Sequence, residues 1–200
     1  EGMIGSIVTT LVGIILFLFL FWRRLKEDYP SNQIFTTAFY VLAGILLGYL
    51  VSLRVSPLSW FWIELAGITL GFGVGILRYK FRFFEVLEAL VLGLFPWLGL
   101  FFLRDSIDSS SLPSFLFFFA VTCLITLFAF LDSHYKNFSW YRSGRIGFSG
   151  LTTLGTLFLL RAAFASFFPF VISFVKYEAI LSGVAAFVFF LATFNLARST

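Results

Sequence analysis

Charge is what this chain has least of. Only 12% of its 200 residues are Asp, Glu, Lys or Arg, whereas about 25% is usual in a domain that keeps its surface wet. With 60% hydrophobic residues and a mean hydropathy of +1.00, it cannot cover itself in water, so it reads as an integral membrane protein. Cysteine is nearly absent. The single Cys123, within Phe119-Ala120-Val121-Thr122-Cys123-Leu124, excludes a disulfide within the chain and a cysteine-built zinc site. No base or cation neighbours it in sequence to favour the thiolate, so it reads as a small core or lipid-facing residue. Histidine also occurs once, in Asp132-Ser133-His134-Tyr135-Lys136. An Asp-x-His pair can equip a general base, but with no cavity implied this segment reads as a solvated loop. No metal site and no cofactor are expected. No basic stretch precedes the first apolar run, which Glu1-Gly2-Met3 enters at once, and this does not resemble a cleaved signal peptide. There is no internal repeat and no soluble domain, so residues 1–200 read as one transmembrane domain.

Long apolar runs are what the chain has in abundance. About 20 apolar residues cross a bilayer as a helix. Seven such runs are predicted: Met3 to Trp22, Ile34 to Leu53, Leu58 to Leu77, Phe83 to Leu103, Phe115 to Leu131, Ile146 to Phe168, and Ala179 to Ala197. Pro96 and Gly99 predict a kink in the fourth, which neighbouring helices must support. A polar loop is predicted from Arg104 to Ser114, and Phe170 to Val175 is too short to span, so it is expected along the interface. The 31 Phe residues read as lipid-facing filler, with ring-lined lipid grooves as the alternative.

The net charge of +4 comes from short loops, so it points to topology and not to nucleic-acid binding. One side carries ten basic residues: Arg23, Arg24, Lys26, Arg78, Lys80, Arg82, Lys136, Arg142, Arg145 and Arg198. The other carries three: Arg54, Arg104 and Lys176. The basic side is expected in the cytoplasm, with the N-terminus outside and the C-terminus inside.

Two charges fall inside apolar runs, Glu64 in the third and Arg161 in the sixth. A charge near the bilayer centre costs about 2.5–3.5 kcal/mol on insertion scales, so it persists where something compensates it. Counting inward at 1.5 Å per residue puts both roughly 9–11 Å below the outer surface. Opposite charges at matched depth suggest partners. One reading is an outward-opening polar pocket, with Arg161 gripping a lipid phosphate through its planar fork and Glu64 orienting it or acting as a base. The other is a structural ion pair, or an Arg161 that snorkels upward. Glu85 and Glu88 open the fourth run and read as helix-start residues at the surface, Glu85 falling i+3 from Arg82. Gly67, Gly71 and Gly75 form a small-xxx-small face for close helix packing, with Ala43, Gly44 and Gly48 marking the second run. The tract Gly144-Arg145-Ile146-Gly147 reads as a helix-start turn, with anion binding there the alternative.

The order of these segments resembles bacterial prolipoprotein diacylglyceryl transferase. The resemblance lies in Gly2-Met3-Ile4 through Trp22-Arg23-Arg24-Leu25-Lys26 and in Ala43-Gly44 with Leu47-Gly48-Tyr49-Leu50. It continues in Ala66-Gly67-Ile68 with Gly71, in Arg78 through Glu88-Ala89-Leu90, and in Gly147-Phe148 through Leu154-Gly155 to Arg161. It implies a seven-span enzyme of the bacterial cytoplasmic membrane that moves a diacylglyceryl group from phosphatidylglycerol to the lipobox cysteine of a secreted preprotein. It also implies an outer-leaflet site in which Arg161 grips phosphate. Beside the resemblance and without support from it, Glu64 is the other catalytic candidate and Arg104 a second candidate for phosphate contact. The family's His-Gly-Gly reads Leu65-Ala66-Gly67 here, and its arginine motif after the fourth helix is replaced by Gly99 through Asp105. Two other classes stay open: a non-catalytic relative that binds lipid or a membrane partner, and a small transporter with a charged gate. The topology has its own test. Alkaline phosphatase fused after Ser110 is expected to be active, and after Lys80 inactive; the reverse pattern overturns the orientation.

Overall fold

The computed structural model describes residues 2–55, 59–138, 141, 143, 146–167 and 174–198. Among them seven helices are long and apolar enough to cross a membrane, and there is no β-strand. They are α1 (Gly2–Leu25), α2 (Ser31–Val55), α3 (Trp60–Tyr79), α4 (Phe83–Ser109), α5 (Leu112–His134), α6 (Phe148–Phe167) and α7 (Glu178–Arg198). The chain is thus a multi-pass helical membrane protein. Large apolar side chains such as Leu70, Leu77 and Phe187 stand exposed on its outside, as lipid contact requires. The segment expected along the interface lies mostly outside the described residues.

The polar loop expected from Arg104 to Ser114 is largely helical instead. α4 runs through Pro96 to Ser109, and α5 starts three residues later. The polar side chains there serve the helices: Arg104 pairs with Asp108 at 3.0 Å, and Ser114 donates to Asp105 across the turn. Ser110 closes α4 in the left-handed region at φ 51°, Ser111 caps α5, and Pro113 sits in its first turn. His134 ends α5, stacked on Phe130, and does not lie in a loop.

The helices pack in antiparallel pairs. α1 lies along α4, where Gly13 meets Trp97 and Gly93 meets Phe17. α2 and α3 make the closest contact in the bundle, through the glycines expected to do so. A Cβ on Gly44 would fall 2.1 Å from the Gly67 carbonyl oxygen, and one on Gly67 would fall 2.2 Å from that of Gly44. This hairpin joins the other helices differently. α3 reaches them with large rings: Trp60 against Phe101 of α4, Phe61 and Trp62 against Phe158 of α6, and Phe72 against Phe83 of α4. Much of the phenylalanine is therefore internal, with Phe17, Phe21, Phe102 and Phe117 fully buried.

Because backbone oxygen stands where a side chain would go, Gly67→Ala is expected to cost about 1–3 kcal/mol by overpacking. Gly73, with nothing near its Cβ position, should accept Ala without loss. Unfolding midpoints in detergent check this, and equal midpoints for the two variants would refute the contact.

Candidate functional site

Helix α6 carries Arg161 on a face turned toward α7, in a chamber of aromatic rings. Its guanidinium carbon lies 3.5 Å from the centre of the Phe61 ring, 5.1 Å from Phe174 and 5.9 Å from Phe117. None of the side chain is exposed (0%). Its charge is met by Glu178, the first residue of α7, whose Oε1 accepts from Nε at 3.0 Å and from a terminal nitrogen at 2.8 Å. Ser182 also donates to Oε1, at 2.6 Å. The other carboxylate oxygen accepts from the Trp62 indole N–H at 2.8 Å and from the Val175 amide at 3.4 Å. The centre thus ties α3, α6 and α7 together, and burial makes each bond stronger than it would be in water.

The expected Glu64–Arg161 pair does not form. Arg161 takes Glu178, and among the described residues Glu64 enters no ion pair. The reason lies in helix phase. Trp62 faces α7, and a residue two positions on points nearly the opposite way. Glu64 instead sits at the α2 contact, where a Cβ on Gly48 would come 2.8 Å from its Cα. Arg104 has different neighbours from Arg161: besides Asp108, its Nε lies 3.7 Å from the Cβ position of Gly5 on α1. The three residues expected to share a site are therefore not gathered into one.

A second polar cluster occupies the opposite end of the bundle, and it corrects the reading of Glu85 and Glu88 as surface residues. Glu88 is buried. Its Oε1 accepts from the Gly147 amide at 2.9 Å and the Ser149 hydroxyl at 2.7 Å, at the start of α6. The helix start considered as an anion site therefore does receive an anion, supplied by the protein itself. Gly147 must be glycine, because its φ is +120° and a Cβ would strike the Phe84 side chain, 2.8 Å from its Cβ and 2.9 Å from the ring. Arg24 of α1 completes the cluster, reaching Glu88 at 2.6 Å and Asp132 of α5 at 2.6 Å. Asp132, expected in a solvated loop, is thus an ion-pair partner on a helix. Glu85 pairs with Arg82 at 2.9 Å and accepts from Tyr29 at 2.6 Å. Burial, and then this bond, raise the Tyr29 hydroxyl above its ordinary range, which keeps it a donor. A cavity of about 380 Å³ opens here, lined in part by Arg24, Asp28, Glu85, Asp132 and Lys136.

Sequence reasoning found Arg161 but missed Glu178. The available signal was the position of Glu178, which directly precedes the apolar run Ala179 to Ala197 and follows Arg161 on the next helix.

The fold and these two clusters define a multi-pass helical membrane protein with a fully buried guanidinium–carboxylate centre near one end. No protein-family model, curated protein or solved structure compared with the chain gives a match.

Breaking the Arg161–Glu178 pair from one side strands a buried charge. Arg161→Leu alone should cost about 3–5 kcal/mol, and the double variant Arg161→Leu/Glu178→Leu distinctly less. Denaturation in detergent measures both. A double variant as unstable as the sum of the two singles would mean that the charges are not coupled.

Proposed function

We propose that this chain is a membrane-embedded relative of the prolipoprotein diacylglyceryl transferases, with its lipid site at Arg161. The observation that carries the reading is a buried guanidinium 3.5 Å from the centre of the Phe61 ring, near one end of a seven-helix bundle. A planar fork in a dry aromatic chamber suits two oxygens of a phosphodiester, which it can bind without competition from water. In the proposed orientation this end faces the outer leaflet of the bacterial cytoplasmic membrane. Phosphatidylglycerol would then enter from the bilayer and a lipobox peptide from outside.

The transfer joins a cysteine sulfur of the peptide to the glycerol carbon that bears the phosphate. That carbon–oxygen bond breaks, its electron pair leaves on phosphate oxygen, and the thiol proton passes to a base. Arg161 is the cation that neutralises the departing anion. Glu64, at the α2 contact, and Arg104, paired with Asp108, stand apart from Arg161, so the proton-accepting base in this proposal is solvent at the site and neither residue is given a role in the step.

A second reading is a non-catalytic relative that binds the same lipid. It is favoured by Glu178, which already satisfies Arg161, and by the separation of Glu64 from that centre.

Purified protein given phosphatidylglycerol and a lipobox peptide is expected to yield diacylglyceryl-peptide, read by mass spectrometry. Arg161→Ala should lower the rate by about 10²–10³-fold, the usual effect of removing one donor to developing charge. No product under conditions where a known transferase works would overturn catalysis in favour of the binding reading.

A further inference from the structure

We propose that Glu178 is a latch on the Arg161 site: its carboxylate occupies the guanidinium edge that an anionic phospholipid headgroup takes when the seam between α3 and α7 opens. This rests on the reading of Arg161 as a headgroup grip and adds the regulation of that grip.

Four observations separate an exchangeable latch from a permanent lock. The first is the mode of pairing. Both bonds from Arg161 to Glu178 end on one oxygen, Oε1, so the two-oxygen match of a fork to its anion is not used. A phosphodiester offers two oxygens at the spacing the fork prefers.

The second concerns Glu178 itself. It keeps Ser182 and the Val175 amide as partners when Arg161 and Trp62 let go, and it sits at the N-terminus of α7, where a negative charge is favoured. Release therefore does not leave an orphaned carboxylate.

The third is the support beneath the guanidinium. Phe117 and Phe174, which do not belong to the α2–α3 hairpin, flank it whichever anion lies at its edge, so exchange leaves these two rings in place.

The fourth is mechanical. At this level α3 is bound to α6 and α7 by side chains, through the Trp62–Glu178 bond and the rings of Phe61, Trp62 and Phe158, while its close backbone contact is with α2. The α2–α3 hairpin can shift as a unit, and the Trp62 bond is a hydrogen bond that crosses the seam. A phospholipid reaches this seam sideways from the bilayer.

The latch makes a definite statement about affinity. If the closed state dominates, apparent lipid affinity is lowered by the fraction of molecules that are open, and weakening the latch removes that penalty. The test measures binding of a fluorescent phosphatidylglycerol to the full chain in a neutral detergent. Unlabelled phosphatidylglycerol, phosphatidylcholine and inorganic phosphate serve as competitors. Glu178→Gln, which keeps the shape and removes the charge, should bind about tenfold more tightly than the unaltered chain. Trp62→Phe, which leaves both partners of the ion pair in place and removes the Trp62 bond across the seam, should shift affinity the same way by less. It decides the matter alone if Glu178→Gln does not fold. Phosphatidylglycerol should compete and phosphatidylcholine should not; competition by inorganic phosphate alone would overturn a lipid occupant. Binding that needs Arg161 but is unchanged or weaker in the folded variants overturns the latch and leaves the Arg161 reading standing. Binding that survives Arg161→Leu overturns both.

Discussion

A positive charge with no exposed surface, held among phenylalanine rings, is stable only if the protein brings an anion to it, and in this bundle that anion comes from another helix. Arg161 on α6 requires Glu178 on α7, and Glu178 in turn accepts from Trp62 on α3. The same rule operates at the opposite end, where Glu88 on α4 requires Arg24 on α1 and the first turn of α6. Residues 148 and 161 of α6 are roughly 20 Å apart along the helix at 1.5 Å per residue, so this one helix is fixed by charge near both ends. Hydrocarbon supplies no hydrophobic force between helices. The two ion-pair centres therefore do much to specify which helices are neighbours.

Between these centres the bundle is held by shape, and two kinds of shape alternate. Glycine brings α2 onto α3 at backbone distance, which makes that hairpin close to a rigid piece. Aromatic rings join the hairpin to the other helices, and a ring contact tolerates small displacements that a carbonyl against a glycine does not. A close-packed hairpin on a ring-filled seam is the arrangement from which hinge or shear motions are built. The abundance of phenylalanine thus acquires a role that composition alone could not give it.

What the sequence made legible was whatever depends on hydropathy and local spacing. The seven helices, the Gly67/Gly71/Gly75 face and the importance of Arg161 all follow from rules that act within about twenty residues. What it hid depends on rotation and on pairing between distant segments. Glu64 looked like the partner of Arg161 because depth can be counted along the chain, whereas the direction a helix faces is set by packing. Glu88 looked like a surface acid because it stands near a basic loop. Its burial comes with partners distant in sequence, the Gly147 amide, Ser149 and Arg24. Arg104 through Ser114 looked like a loop because polar residues there were counted as solvent-seeking. They are used instead to pair along α4 and to cap α5.

The pairing of Arg161 bears directly on which function the centre can serve. Catalysis needs the guanidinium to meet charge that develops during reaction, and an arginine permanently neutralised by a carboxylate has little left to offer a leaving phosphate. A transferase on this fold must therefore separate Arg161 from Glu178 during its cycle, whereas a pure lipid-binding relative can work with the pair only loosened. The placement of Glu178 at a helix start, with Ser182 and the Val175 amide as donors on its own side of the seam, is what makes separation energetically reasonable in either case. An acid set in the middle of α7 without those donors would have locked the site for good. The position of one carboxylate, just ahead of an apolar run, thus decides whether the buried arginine is only structural or can also be used.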